Sequence, residues 1–492
     1  MGIDIDGKTR LLGLMGDPVE HTLSPVIHNT LSEILGLNNV YVPFHVKKEG
    51  LAKAVEGAFQ LNILGLNVTV PHKNDVIASL CSVSDEGLAI GAVNTLVRTE
   101  NGYRGYNTDM LGLTREIKSY GIELEGRKVI ILGAGGAARA VAYMCMAEKA
   151  SDIYILNRTL EKATEIAEHM NSFFGRQIIR AMKLSDWREL VKNRSDRDKS
   201  SENRSRENRS RENRSRENKA GGNGTDEILF SEKYIVIQST SIGLKPDNDR
   251  AVIEDEDFYR MIDTGVDLIY SPFETKFMKL CRRNGANAYN GLKMLLYQGI
   301  IAYELWNDIS VSEEVADQVY RVLEKNARNN TVLTGFMGCG KSTVGKRLAK
   351  ATGRDFLDVD KYIVDKAGCS ISRIFAEHGE EYFRALETEA LNEIYNTVTG
   401  TVISTGGGLP MRKVNRDILN RLGEVVYLDV SPDCVYERLK DDTTRPLLQS
   451  ENPMERIEEL LGFRRPVYLD GADRTVNVSY RTVEDIIKDI ID

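Results

Sequence analysis

Short apolar runs closed by glycine or polar turns recur along the chain. Residues 11–16, 65–70, 128–132, 152–156, 234–237, 266–270, 331–334, 356–360 and 402–404 each read as a strand. Val129–Leu132 and Tyr234–Ile237 are apolar throughout, the pattern of strands buried on both faces. Helix-like segments start near Pro25, at about Met110, after Gly136, after Gly291 and at Ser342. Strand alternating with helix predicts an α/β fold with parallel sheets. The alternation stops at residues 192–222, where the unit Asn-Arg-Ser-Arg-Glu repeats from Asn203, Asn208 and Asn213. A five-residue period matches neither a helix face nor a strand face, and the segment has almost nothing apolar to bury. It reads as disordered or as a solvated, charge-mixed excursion. Because it precedes the strand at Tyr234, it should enter the sheet at the strands' N-terminal edge, away from a ligand at the other end.

The 492 residues suffice for two to four domains, and 41% apolar with 28% charged residues is ordinary for a globular protein. A net charge of −8 argues against a general nucleic-acid binder but not against small anionic ligands. No apolar run approaches the length of a membrane span, and the first residues lack signal-peptide character. The six cysteines are scattered without pair spacing and read as reduced core thiols of a cytoplasmic protein. Monomer and homodimer both remain open.

Three strings carry nucleotide chemistry. Gly335-Phe-Met-Gly338-Cys339-Gly340-Lys341-Ser342-Thr343 fits G-x-x-x-x-G-K-[ST] between a strand and a helix. Its backbone N–H groups can turn inward around ATP phosphates, Lys341 supplies charge to the outer phosphates, and the Ser342 hydroxyl can ligate Mg²⁺. Gly133-Ala134-Gly135-Gly136-Ala137-Ala138 fits the dinucleotide-binding G-x-G-x-x-[GA] in the same strand–turn–helix context. The next strand ends in Asn157-Arg158-Thr159, with Lys162 one turn on. An acidic residue there would receive a ribose 2′-hydroxyl, whereas Arg158 and Lys162 attract a 2′-phosphate, so NADP is predicted over NAD.

Four polar strings in the first third lie at strand or turn ends: Thr22-Leu-Ser24-Pro25, Asn67-Val-Thr69-Val-Pro-His-Lys73, Asn94-Thr95 and Asn107-Thr-Asp109. Singly, each is compatible with capping or turn chemistry, and Lys73 with Asp109 could be a surface ion pair. Together they resemble shikimate dehydrogenase, with Thr22 where that family's loop has its first serine. The resemblance covers about residues 8–322. It implies a substrate-binding α/β domain (8–112, completed by about 294–322) and an NADP-binding Rossmann domain (113–293). It also implies that Lys73 and Asp109 form the catalytic pair, and that Thr22, Ser24, Asn67, Thr69, Asn94, Tyr270 and Gln298 face the substrate. Asn157, Arg158 and Thr159 match the family's cofactor string, and Gly291 and Met294 are expected beside the nicotinamide. Gln238 stands where the family usually has asparagine. The chemistry agrees, because reducing a ketone needs a proton for the developing alkoxide and a lysine ammonium held by a carboxylate can donate it.

After a junction at 323–330, residues 331–492 resemble shikimate kinase, a small P-loop kinase with a parallel sheet and a lid. Asp358 and Asp360 are expected on one face of a strand. The resemblance implies that Asp358 serves Mg²⁺ through water and that Asp360 holds the substrate hydroxyls. Acidic groups there can also accept the proton of an attacking hydroxyl. Arg384 suits a substrate carboxylate, and Gly406-Gly407-Gly408 lets backbone approach a ring. Thr444-Arg445-Pro446 matches the lid, making Arg445 the candidate for neutralising charge on the transferred phosphoryl group. The R-x-P-x-Y string selects Arg464 as a second carboxylate ligand.

The expectation is therefore a bifunctional shikimate-pathway enzyme using NADP(H), ATP and Mg²⁺, with small-molecule partners and neither nucleic acid nor membrane. Rival readings are a quinate-accepting dehydrogenase joined to another small-molecule kinase, one inactive half kept as a binding module, and an interaction protein working through the arginine-rich insert.

Overall fold

The computed structural model describes residues 5–190, 233–244, 247–440 and 452–491. The expected insert at 192–222 and the lid string with Arg445 lie outside the described residues. The chain divides into two compact units, Met1–Val319 and Tyr320–Asp492.

The first unit holds two sheets. One is mixed, built from β1 (Arg10–Gly16), β2 (Asn39–His45), β3 (Gly65–Val68), β4 (Ser82–Val83), β5 (Thr95–Thr99) and β6 (Gly102–Tyr106), in the order β2-β1-β3-β5-β6-β4. The other contains β7 (Lys128–Leu132), β8 (Asp152–Asn157), β9 (Ile179–Lys183), β10 (Tyr234–Gln238), β11 (Ile262–Asp267) and β12 (Asn287–Asn290), in the order β12-β11-β10-β7-β8-β9. Every pairing in this second sheet is parallel. The strand order reverses between β7 and β10, and a crevice at such a switch point is where doubly wound sheets bind ligands. The reason this sheet must be covered on both sides is visible in its alternation. Val129, Ile131, Ile153, Ile155, Ile235 and Ile237 enter one core, and Ile130, Leu132, Tyr154, Leu156 and Val236 the other.

Two helices, Thr108–Ser119 and Leu292–Asn307, pack closely against each other. Gly112 permits this: a Cβ there would lie 2.6 Å from the backbone nitrogen of Gln298. The second of these helices returns to the mixed sheet, where Trp306 Nε1 donates to the Leu96 carbonyl at 2.9 Å.

The second unit has one parallel sheet, β13 (Thr331–Thr334), β14 (Asp355–Asp358), β15 (Thr401–Ser404), β16 (Glu424–Asp429) and β17 (Arg474–Asn477), ordered β14-β15-β13-β16-β17. The phosphate-loop string follows its central strand β13.

Three boundaries differ from the sequence reading. The strand expected to run to Tyr270 ends at Asp267, because the Asp267 side chain accepts the Ile269 N–H and folds the chain out of the ladder. The strand expected to carry both Asp358 and Asp360 ends at Asp358, which accepts from Lys361 N and so caps the helix Val359–Ala367. Asp360 is consequently in the first turn of that helix. The junction expected at 323–330 is helical through Arg328, in the helix Glu313–Arg328. Arg328 is buried against the Tyr395 carbonyl (2.5 Å) and Glu324 (3.2 Å), and Asn330 is buried as well.

Candidate functional sites

The first cavity, about 330 Å³, is lined by all nine residues expected to face substrate: Thr22, Ser24, Asn67, Thr69, Lys73, Asn94, Asp109, Tyr270 and Gln298. Thr22 and Ser24 enter from the loop after β1. The capping alternative is not realised, since Leu23 occupies the cap position of the helix Ser24–Leu35 and no side chain caps it. Thr22 Oγ1 instead accepts from Ser24 N at 3.2 Å. Lys73 Nζ donates to Asp109 Oδ2 at 2.6 Å, with side chains only 31% and 20% exposed, so this is not a surface pair. Asp109 lies in the first turn of its helix, where the helix dipole favours a carboxylate. Its other oxygen accepts from Asn94 Nδ2 at 2.9 Å, and Asn94 Oδ1 accepts from Thr108 N at 2.7 Å. The lysine is thus aimed at the cavity by a carboxylate that is itself held twice.

Asn67 is placed differently from its neighbours. Its Oδ1 accepts from Tyr41 Oη (2.8 Å) and from His28 Nε2 (3.2 Å), and its Nδ2 donates to the Asn94 carbonyl (3.2 Å) and Thr95 Oγ1 (3.1 Å). That uses the amide's full hydrogen-bonding capacity inside the protein. Burial pushes His28 down to about 3 and keeps it neutral, consistent with Nε2–H donating.

The second cavity, about 500 Å³, opens at the switch point. Gly133, Ala134 and Gly135 line it from the turn after β7, and Asn157, Arg158, Thr159 and Lys162 from the end of β8. Arg158 and Lys162 are exposed and have no ion-pair partner among the described residues, which leaves both charges available to an anion. Gly136 and Ala137 form the exposed start of the helix Gly136–Ala147 and Ala138 is fully buried; none of the three lines the cavity. Gly291 and Met294 line neither cavity; Met294 packs against the apolar core instead. Ser239, Thr240, Ser241, Ile242 and Arg250 also line this cavity and were not selected from the sequence. The polar run after β10 was the available signal for the first four, and Arg250 carries none.

The third cavity, about 500 Å³, is in the second unit. Gly338, Cys339, Gly340, Lys341, Ser342, Thr343, Asp358, Asp360 and Gly407 all line it. Lys341 Nζ donates to the carbonyls of Gly335 (2.8 Å) and Phe336 (3.0 Å), within its own loop. Ser342 Oγ donates to Asp358 Oδ2 at 2.7 Å. The strand's early end does not separate the two aspartates, since the cap and first turn of the following helix face the same space. Beside it, a Cβ on Gly406 would lie 2.5 Å from Asp360 Oδ1, and one on Gly408 would lie 2.5 Å from Arg384 Nη1. The glycine run therefore brings Asp360 and Arg384 against bare backbone. Arg384 is held by Glu380 and Glu387, each at 2.9 Å. Arg464 lies over the Phe336 ring at 5.8 Å, and neighbouring Tyr468 donates to the Gly407 carbonyl at 2.5 Å. Arg438 and Arg481 also line the cavity. Both lie in polar surface segments without a recognisable string, and neither was selected from the sequence. Among the described residues no cluster of three His, Cys, Asp or Glu could hold a metal, and no helix is long and apolar enough to cross a membrane.

Comparison with known proteins agrees with this arrangement. Residues 14–96 match the family model of the shikimate dehydrogenase substrate binding domain, residues 114–195 that of shikimate / quinate 5-dehydrogenase, and residues 337–492 that of shikimate kinase. The chain is 36% identical over 306 residues to shikimate dehydrogenase (NADP(+)) of Carboxydothermus hydrogenoformans, spanning 62% of this chain and 94% of that protein. Among solved structures it is similar to shikimate 5-dehydrogenase from Listeria monocytogenes in complex with shikimate and NAD (27% identity, TM-score 0.55, 66% of this chain and 99% of that one). It is also similar to a chorismate mutase/shikimate 5-dehydrogenase fusion protein from Clostridium acetobutylicum (30% identity, TM-score 0.52, 65% and 98%). The chain belongs to the shikimate dehydrogenase family and carries, in the same polypeptide, a shikimate kinase domain.

Proposed function

We propose that this enzyme catalyses two consecutive steps: NADPH-dependent reduction of 3-dehydroshikimate to shikimate, then MgATP-dependent phosphorylation of shikimate on its 3-hydroxyl. The observation that carries the reading is the Lys73–Asp109–Asn94 constellation inside a cavity of suitable size for a small polyhydroxylated ring. NADPH, when bound, would supply a hydride for the carbonyl carbon. Lys73 gives its proton to the carbonyl oxygen as that oxygen gains charge, and Asp109 holds the Lys73 Nζ in place. Thr22, Ser24, Thr69, Tyr270 and Gln298 provide the hydroxyl and amide groups that orient carboxylate and ring hydroxyls. Asn67 shapes the wall. Arg158 and Lys162 receive the 2′-phosphate, which favours NADP over NAD.

In the kinase half, catalysis is positioning and charge neutralisation. Lys341 leaves its loop carbonyls for the outer phosphates, and Arg445 neutralises the transferred group. Asp360 accepts the proton of the attacking hydroxyl, while Arg384 and Arg464 hold the carboxylate. Ser342 Oγ and Asp358 form an all-oxygen donor set of the kind Mg²⁺ takes with water and phosphate, and the ion would supply charge at the phosphates. The product of the first step is the substrate of the second, which favours this pairing over unrelated specificities.

The test supplies 3-dehydroshikimate, NADPH and MgATP to the full chain and follows NADPH loss and shikimate 3-phosphate together. Lys73→Ala is expected to abolish reduction while phosphorylation of added shikimate continues, and Lys341→Ala the reverse. NADPH loss without phosphate ester formation would refute the kinase assignment. Equal turnover of quinate would replace the dehydrogenase specificity with the broader one.

A further inference from the structure

Two buried polar residues that the chemistry above does not use connect the first two cavities. Gln238 ends β10, Asp267 ends β11, and the two are paired in register. Both are fully buried. Asp267 Oδ1 accepts from the Ile269 backbone N–H at 3.0 Å and from Gln238 Nε2 at 3.2 Å, and Oδ2 accepts from Thr275 Oγ1 at 2.6 Å. Gln238 Nε2 also donates to the Ile242 carbonyl at 3.0 Å, and its Oε1 accepts the Thr240 N–H.

Each side chain therefore folds its own loop. Asp267 pins both ends of the segment from Leu268 to Thr275, which presents Tyr270 to the first cavity. Gln238 folds Ser239–Ile242, which lines the second. Both loops leave the carboxyl ends of adjacent parallel strands, the edge at which such sheets bind ligands. The side-chain contact between them is the hydrogen bond from Gln238 to Asp267, which lies beside the backbone bond from the Leu268 N–H to the Gln238 carbonyl at 3.0 Å. Gln238 Nε2 meets its own loop at Ile242 and the next strand at Asp267 at once, and an amide one methylene shorter is expected to lose part of that reach. Burial pushes the Asp267 carboxyl up to about 7 against the pull of its three hydrogen bonds, so its donors do not overcome the cost of enclosing it. A carboxylate kept at that cost between two ligand-lining loops is more than is needed to end a strand.

We propose that the Asp267–Gln238 pair is a positioning strut that sets Tyr270 against the cofactor loop Ser239–Ile242, so that substrate and nicotinamide cofactor are held in one register. The inference rests on the reductase reading given above.

Steady-state kinetics of the full chain, varying 3-dehydroshikimate and NADPH separately, test it. Turnover of shikimate with MgATP by the same polypeptide serves as the concentration reference. Asp267→Asn is expected to keep both KM values within about twofold, because the amide oxygen still accepts from Ile269 and Gln238 and its nitrogen can donate to a rotated Thr275 hydroxyl. Asp267→Ala should raise both KM values by about tenfold. Gln238→Asn should raise the NADPH KM by a similar factor and the 3-dehydroshikimate KM less. In the Asp267→Ala/Gln238→Asn double variant the rise in the NADPH KM should be smaller than the product of the rises in the two single variants, the non-additivity of a shared contact. Unchanged KM values in Asp267→Ala and Gln238→Asn, with only the amount of active dehydrogenase reduced, would overturn the proposal. So would additive effects in the double variant. If Asp267→Ala does not accumulate, Gln238→Asn decides alone: a raised NADPH KM supports the strut and an unchanged one refutes it. Absence of NADPH oxidation by the wild-type chain would instead refute the reductase reading itself.

Discussion

Glu116 gives the strongest prediction about stability. It lies two turns beyond Asp109 on the helix Thr108–Ser119, is fully buried, and has no hydrogen-bond partner for either carboxyl oxygen among the described residues. Burial pushes it up to about 8 from an ordinary 4.5; the nearby Met294 backbone amide and the Lys293 charge oppose that rise only weakly. The sign follows from linkage. Between pH 4.5 and 8 the unfolded chain loses this proton and the folded one keeps it, so folding stability falls as pH rises through that window and levels off above it. At 1.36 kcal/mol per pH unit, the loss accumulates to about 5 kcal/mol across the window, of which about 2–3 kcal/mol falls between pH 6 and 8. Glu116→Gln removes the titration while keeping the shape and leaving a similar unpaired polar group, so the variant should resemble wild type at pH 5 and exceed it at pH 8. The chain's two tryptophans, Trp187 and Trp306, are both buried in the first unit, so their emission during urea unfolding reports that unit. Trp306 also stands on the helix packed against the one bearing Glu116. Parallel stability curves for wild type and Glu116→Gln between pH 5 and 8, differing in slope by less than about 0.5 kcal/mol over the range, would refute the reasoning.

Three further outcomes are expected. Arg158→Ala should raise the KM for NADPH by about tenfold to a hundredfold and leave that for NADH nearly unchanged, since it removes a charge-assisted contact that only the 2′-phosphate makes; equal effects on both cofactors would place the phosphate elsewhere. Glu324→Ala leaves Arg328 buried beside Tyr395 without its carboxylate, which should cost the second unit about 3–5 kcal/mol, seen as an earlier urea midpoint for loss of shikimate kinase activity with dehydrogenase activity unaffected. Gly408→Ala forces a Cβ to within 2.5 Å of Arg384 Nη1 and should raise the kinase KM for shikimate by about tenfold with little change for ATP, measured in initial-rate assays.

What could be read from the sequence, and what could not, divides along a physical line. The strings at Thr22, Asn67, Asn94, Asn107, Gly133, Arg158 and Gly335 each bring their own context, a strand that ends or begins beside a turn or helix, so local pattern was enough to place them at the mouths of sheets. Tyr270 and Gln298 carried no such context. They were reached by family resemblance, and they enter the first cavity because Asp267 folds one loop and Gly112 admits one helix. Asp360 shows the limit within a single string. Alternation put it on a strand, but an aspartate two positions earlier can leave the ladder and cap a helix, and the capping hydrogen bond to Lys361 N prevailed. The expected proximity to Asp358 survived for a different reason than the one given by the pleat. Arg250, Arg438 and Arg481 reach their cavities from segments whose own pattern is that of any solvated surface, and only the fold brings them there. Glu116 and Gln238 lie beyond pattern altogether, since burial of a polar group is a property of what packs over it. The stability effects expected at Glu116 and Glu324 and the strut of Gln238 and Asp267 therefore depend on residues without a motif, because a motif marks the groups that meet a ligand and not those that hold them in place.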